Sequence, residues 1–214
     1  MASTDGTDAR VVTVSATYGA LGSVIAPRLA DALGLRFLDR TISASAAIAE
    51  SPSDEERAAV PPSRWIASLA QLAAAVPGQP TADYGASVHL GDMRTEATAI
   101  VTNAAAEGRI LILGRAAAVV LAGRPMAFHI RLDGPVDIRV ERAKTLEGID
   151  DAEARRRCEA TDRMRELYVR RLYQRDAQDS RLYHLVLDTT ACSLDDTIAV
   201  LRVAAEAFWR QSAG

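Results

Sequence analysis

Short apolar runs alternate with amphipathic stretches along the chain. VVTVS, Val11–Ser15, is apolar at most positions and predicts a buried strand. The period then changes: Ile25, Leu29, Ala32 and Leu33 share one face of a helix predicted over Ser23–Leu33. Pro27 lies near its first turn, where a missing N–H is tolerable, and Gly34 is a C-cap candidate. Leu35–Leu38 predicts a second strand, ending at Asp39-Arg40. Residues 41–50 and 63–76 carry helical patterns, separated by a proline-marked loop over 51–62. A second loop spans 77–91, and Asp92 caps a helix over Met93–Glu107 that ends at Gly108.

RILIL, Arg109–Leu113, is the next buried strand, with a short helix after Arg115. Met126–Leu132 predicts a strand and Pro135–Glu147 a helix. A long charged helix follows over Asp151–Arg175, then HLVLD, His184–Asp188, as the last strand. Leu194–Gln211 closes the chain as a helix. Five strands that are apolar along their length, alternating with helices, predict an α/β fold around a central parallel sheet of about five strands. Residues 1–10 read as a disordered lead, and 11–214 as one domain with a helical insert at 41–91. That insert is the best candidate for a separate lobe.

The net charge is −3, with 28 acids against 25 Lys and Arg, so a general nucleic-acid or anionic-membrane binder is disfavoured. Two cysteines, Cys158 and Cys192, are too few for a disulfide framework and fit no metal spacing, which favours a reducing, cytoplasmic setting. The first residues lack the basic and apolar regions of a signal peptide, and no run is long enough to span a bilayer. His89, His129 and His184 show no ligand spacing, and neither cysteine has a histidine signature beside it. Trp65 reads as core or interface, and the alanine-rich 65–76 stretch is a candidate dimer surface. Tyr168 and Tyr173 read as packing residues between arginines.

The stretch that carries chemistry follows the first strand. Thr17, Tyr18, Gly19, Ala20, Leu21, Gly22 and Ser23 form a glycine-bearing turn between strand and helix. Backbone N–H groups and the helix dipole favour an anion at such a turn. The full phosphate-loop pattern is G-x-x-x-x-G-K-[ST], and this loop has no lysine. It offers backbone donors and two hydroxyls, Thr17 and Ser23.

The segment VTVSATYGALGSVIAPRLADALGLRFLDR resembles the opening of the cytidylate kinase-like family, a branch of the P-loop nucleoside monophosphate kinases. The resemblance resumes at ILILGRAAAVVLAGRPMAFHIRLDGP. It continues through TDRMRELYVRRLYQRDAQDSRLYHLVLDTTACSLDDTI, sparing only about 45–95. It implies a three-layer P-loop NTPase-like fold with an arginine-rich helical lid over 139–181, and ATP and Mg²⁺ as cofactors. It also implies nucleotides as small-molecule partners. Cytidylate kinases place a Lys and a Ser/Thr where this chain has Gly22 and Val24. The usual magnesium hydroxyl is therefore missing, and the metal ligand is unassigned, with Asp133 the one substitute candidate.

By the same resemblance, Asp39, Arg40, Arg115, Asp162 and Arg165 line the monophosphate site. Arg139 and Arg163 are the candidate catalytic arginines, and Arg142, Arg156, Arg170 and Arg171 belong to the lid. Gly114-Arg115 keeps the arginine of the family's Gly-Arg-Asp but has Ala116 for the Asp. One turn before Asp162-Arg163-Met164-Arg165 the family has a further Arg; here stands Cys158, beside Arg157. Over Asp151–Arg181 the chain carries nine arginines, seven acids and no lysine, and Arg156, Arg163 and Arg170 recur on one helix face. Guanidinium binds phosphate bidentately. Spacing alone favours a solvated helix laced with ion pairs, through Glu153/Arg157, Glu159/Arg163 and Glu166/Arg170, and it is the resemblance that points to phosphate instead. Two functions follow. One is phosphoryl transfer from ATP to CMP or dCMP. The other is an impaired kinase homologue that senses nucleotides or serves as an interaction module.

Overall fold

The computed structural model describes residues 9–39 and 83–212. The helices expected at 41–50 and 63–76, the loop at 51–62, Arg40, Trp65 and most of the lead-in lie outside them. Five strands form one sheet: β1 (Val11–Ala16), β2 (Arg36–Leu38), β3 (Ile110–Leu113), β4 (Ala127–Asp133) and β5 (Leu185–Asp188). Every pairing is parallel, in the order β2-β3-β1-β4-β5. The helices are α1 (Gly22–Leu33), α2 (Asp83–Ala106), α3 (Ala117–Val120), α4 (Val136–Glu147), α5 (Asp151–Tyr173) and α6 (Leu194–Ser212), with a 3₁₀ turn at Ser180–Leu182.

The pleat of β1 divides the core. Val12 and Val14 face a cluster with Ile25 and Leu29 of α1 and Leu201 and Trp209 of α6. Val11 faces the other way, onto Val101 and Ala105 of α2 and Leu121. Two helical layers thus sandwich the sheet, which is the three-layer architecture expected. Each fully buried Leu or Ile contributes roughly 1.5–3 kcal/mol. Trp209 also ties α6 to the sheet, its Nε1 donating to Met126 O at 2.9 Å.

Several boundaries differ from the sequence reading. The loop expected at 77–91 is helical from Asp83, so α2 starts well before Met93. His184 lies just outside β5 rather than in it. Pro27 sits in the second turn of α1, where its ring removes the bond to the Ser23 carbonyl. Tight burial of Ile25, Ala26, Leu29 and Ala30 offsets that loss.

A histidine pair is built into β4. His129 is 3% exposed, and its Nδ1 lies 2.8 Å from Thr13 Oγ1. Its backbone N–H donates to His184 Nδ1, and the two rings stack. Burial, helped by the neighbouring His184, pushes the His129 pKa down to about 4. The unfolded value is about 6.5, so protonation favours the unfolded chain. Stability is therefore full above pH 6.5 and falls as the pH drops towards 4. His184 is shifted in the same direction by burial. From these values, urea titrations at pH 7 and pH 5 are expected to differ by about 2 kcal/mol through His129. That difference shrinks in His129→Gln, and an unchanged difference removes His129 as its source.

Candidate functional site

The central strand β1 ends where connections to one side of the sheet give way to connections to the other, the place where open α/β sheets bind ligands. The loop over 17–21 grows from that end. Gly19 has φ +77°, and a Cβ there would lie 2.3 Å from the Arg139 carbonyl oxygen, so the loop packs directly on the start of α4. A Cβ at Gly22 would lie 2.5 Å from Ala16 Cβ. The Ala16 methyl thus lies directly against the Gly22 position. Leu21, left-handed at φ 60°, is the N-cap of α1 and gives it no side-chain cap. The first-turn N–H groups of α1 therefore have no side-chain acceptor from the cap, the arrangement that suits an anion.

Arg139 holds the loop. It is 4% exposed. Its Nη1 donates to Tyr18 O at 2.6 Å and to Asp162 Oδ2 at 2.9 Å, and its Nε donates to Gly134 O at 2.8 Å. The Tyr18 N–H donates to the other oxygen of Asp162 at 2.7 Å. Asp162 thus accepts from the loop backbone and from the arginine together. Cys158 Sγ, 3.3 Å from Arg139 Nη1, fills the corner, and burial raises its thiol pKa. Cys158 and Arg139 are thus buried side by side. Arg157 points elsewhere, to Glu147 at 2.9 Å and Glu153 at 2.6 Å. The tip of the loop is tied down too. Tyr18 OH donates to Glu147 Oε1 at 2.5 Å, and burial with this carboxylate pushes its pKa up to about 12.

The arginine-rich helix α5 lies across the same edge. Arg165 Nη1 donates to Ala16 O at 2.7 Å and sits 3.6 Å from Asp162 Oδ1. One turn on, Tyr168 interacts electrostatically with Arg115, and burial raises the phenol pKa. Arg115 leads into α3 with φ 56°, and its Nε and Nη2 reach Asp39 O at 3.4 Å. Burial lowers the pKa of its guanidinium, while Tyr168, Asp39 and Glu96 oppose the shift. Arg142 closes the far side, donating to Thr189 O at 2.9 Å; Thr189 Oγ1 in turn donates to Ala20 O at 3.2 Å.

The structure therefore gathers Thr17, Tyr18, Asp162, Arg139, Arg165 and Arg142 around one loop, and links Arg115 to Asp39 beside it. It does not gather Arg156, Arg163, Arg170 and Arg171, which are exposed on α5. Arg156 pairs with Glu153 at 2.5 Å. Of the three expected helical pairs, Glu153/Arg157 forms, while Glu166 accepts from Gln178. Glu147 and Thr189 have no local sequence signal. LVLDTT belongs to the resembling segment, yet nothing in its spacing points Thr189 at the loop.

The arginine and backbone donors suit phosphate, and the candidate metal ligand Asp133 is already engaged. Asp133 accepts from Thr17 Oγ1 at 3.0 Å, from Arg131 at 3.0 Å and from the Gly134 N–H at 2.9 Å. Both its oxygens are engaged. Among the described residues no three His, Cys, Asp or Glu side chains could hold a cation together. No helix among them is long and apolar enough to cross a membrane.

Comparison with known proteins bears on the family and the fold. The model of the cytidylate kinase-like family matches residues 11–191. A cytidylate kinase from Methanopyrus kandleri is 38% identical over 109 residues, covering 47% of this chain and 56% of that protein. The chain thus spans about half the length of that relative. Among solved structures, an uncharacterized protein from Eubacterium ventriosum aligns with a TM-score of 0.66 at 17% identity, covering 94% of this chain and 99% of that one. A gluconokinase from Sinorhizobium meliloti aligns at a TM-score of 0.53 and 14% identity, covering 94% of each chain. These structures share the fold.

Proposed function

The chain belongs to the cytidylate kinase-like family, and on that premise we propose that it transfers the γ-phosphoryl group of ATP to a pyrimidine nucleoside monophosphate, CMP or dCMP. The observation that carries this reading is the path of α5. The same helix brings Arg165 to the base of the loop and Tyr168 to Arg115. Arg115 and Arg165 then hold the acceptor phosphate. The loop backbone and the uncapped start of α1 hold the donor phosphates. Catalysis proceeds by positioning and charge neutralisation, with no covalent intermediate on the protein. Arg139 serves as a positioning residue through its Nε and Nη1, which donate to Gly134, Tyr18 and Asp162.

A second reading, a nucleotide-binding homologue of low activity, has its own support in the Ala16–Gly22 contact. That contact excludes a lysine at 22 without a compensating change at 16. Loss of one such charge contact costs about a hundredfold or more in rate.

ADP release from ATP and Mg²⁺ with each nucleoside monophosphate in turn separates the two. Turnover is expected with CMP or dCMP above the other acceptors. No turnover with any monophosphate, at enzyme concentrations that would reveal a hundredfold-impaired kinase, overturns the kinase reading. Nucleotide binding without turnover then establishes the second.

A further inference from the structure

The resemblance assigns Asp162 to the monophosphate, yet its contacts run to the loop. Oδ1 accepts the Tyr18 N–H at 2.7 Å, and Oδ2 accepts from Arg139 Nη1 at 2.9 Å. Cys158 Sγ lies 3.9 Å from Oδ2, and Arg165 Nη1 lies 3.6 Å from Oδ1. The side chain is 19% exposed. An ionised carboxylate only accepts, so toward a monophosphate it could serve a sugar hydroxyl or a base N–H and never the phosphate. Both oxygens already have donors from the protein.

Tyr18 is gripped at both ends of its backbone. Asp162 takes its N–H, and Arg139 donates to its carbonyl at 2.6 Å. Arg139 and Asp162 also bond each other, so the three groups close a ring of hydrogen bonds. A trans peptide is planar, with its C=O and N–H on opposite sides, and no peptide bond among the described residues is cis. Turning the Tyr18 carbonyl to Arg139 therefore turns the Gly19 N–H away from it. Thr189 acts alike two residues on: its Oγ1 donates to Ala20 O at 3.2 Å, which turns the Leu21 N–H away. Among the described residues neither N–H has an acceptor. Such N–H groups, next to the uncapped start of α1, are donors for an anion. Charge agrees. A lone carboxylate beside the loop would repel phosphate, and Arg139 at 2.9 Å offsets it.

We propose that Asp162 is a positioning residue for the donor phosphates rather than a ligand of the monophosphate: with Arg139 it fixes Tyr18, and through Tyr18 the N–H groups that the loop offers the donor. The assignment rests on the reading above, in which the loop takes ATP and Arg165 takes the monophosphate.

Calorimetric titration of the full chain with ATP and Mg²⁺, and separately with CMP, tests this without requiring turnover. Asp162→Asn keeps the size of the side chain and removes its charge. The dissociation constant for ATP is expected to rise about tenfold or more, and that for CMP to stay within about twofold, since Arg165 keeps its bond to Ala16 O. A side chain that only held the fold would move both constants alike. A second measurement uses wild type alone. Hydrogen exchange at the Tyr18 amide, followed by nuclear magnetic resonance, is expected to be as slow with saturating CMP as without it, because Asp162 stays on the loop. Circular dichroism checks that Asp162→Asn is folded, and if it is not, the exchange rate decides. A rise in the CMP constant alone, equal rises for both ligands, or an unchanged ATP constant overturns the proposal. So does Tyr18 exchange that CMP accelerates. Wild type that binds both ligands without turnover removes the kinase reading, and these constants still decide the role of Asp162. Wild type that binds no ATP overturns both.

Discussion

Replacing Arg139 with alanine is expected to lower the free energy of unfolding by about 3–5 kcal/mol, the range for breaking one side of a buried ion pair. The side chain is 5% exposed and that of Asp162 19%, so water cannot readily replace the lost guanidinium. The substitution leaves Asp162 Oδ2, Tyr18 O and Gly134 O without their donor. Removing one partner costs more than the pair contributes, because the groups left behind stay desolvated. Arg139→Lys keeps the charge but cannot reach Gly134 O through one nitrogen and Tyr18 O with Asp162 through another. It is expected to recover less than half of the loss. Chemical denaturation of the three proteins measures this. A loss below about 1 kcal/mol for Arg139→Ala would mean that the clasp does not hold the loop.

The second large effect concerns rate. Arg165→Ala is expected to lower kcat/KM for the monophosphate by about a hundredfold or more, equivalent to about 2.7 kcal/mol. A guanidinium contact to a phosphate is charge-assisted and bidentate, and lysine reproduces its charge without its fork. Arg165→Lys is therefore expected to stay well below wild type. The KM for the monophosphate should rise while that for ATP stays within about twofold, because Arg165 is assigned to the acceptor. The bond from Arg165 to Ala16 O also has a structural share. Thermal unfolding isolates it, at about 1.5–3 kcal/mol for a single charged hydrogen bond. Equal losses for both substrates would place Arg165 on the donor side, and an unchanged kcat/KM would remove it from the site.

Arg139 and Arg163 show where sequence reading reaches its limit. Both are candidate catalytic arginines by resemblance, and both lie on helices legible from their periodicity. The structure buries one beneath the loop and leaves the other exposed on α5. Burial is decided by what packs over a helix face, and at Arg139 that is Tyr18, Asp162 and Cys158, none of them local to it. Cys158 illustrates the same point. As a departure from the family pattern it reads as a lost arginine, whereas in the fold it lies buried against Arg139. The loop glycines were legible as an anion turn, but the contact between Gly22 and Ala16 needed coordinates.

Over the described residues, the sequence by itself determined the order of strands and helices, because periods of two and 3.6 are local properties of a chain that must bury one face of each element. It also determined the parallel sheet and the place of the glycine-bearing loop after the first strand. The tertiary structure alone decided which charged groups meet. Tyr18 and Asp162 are 144 residues apart, Tyr18 and Glu147 129, and Thr189 and Ala20 169. No local period links such positions. Their meeting depends on the strand order, which sets β4 and β5 on one side of β1 and returns α4 and α5 over its carboxyl end.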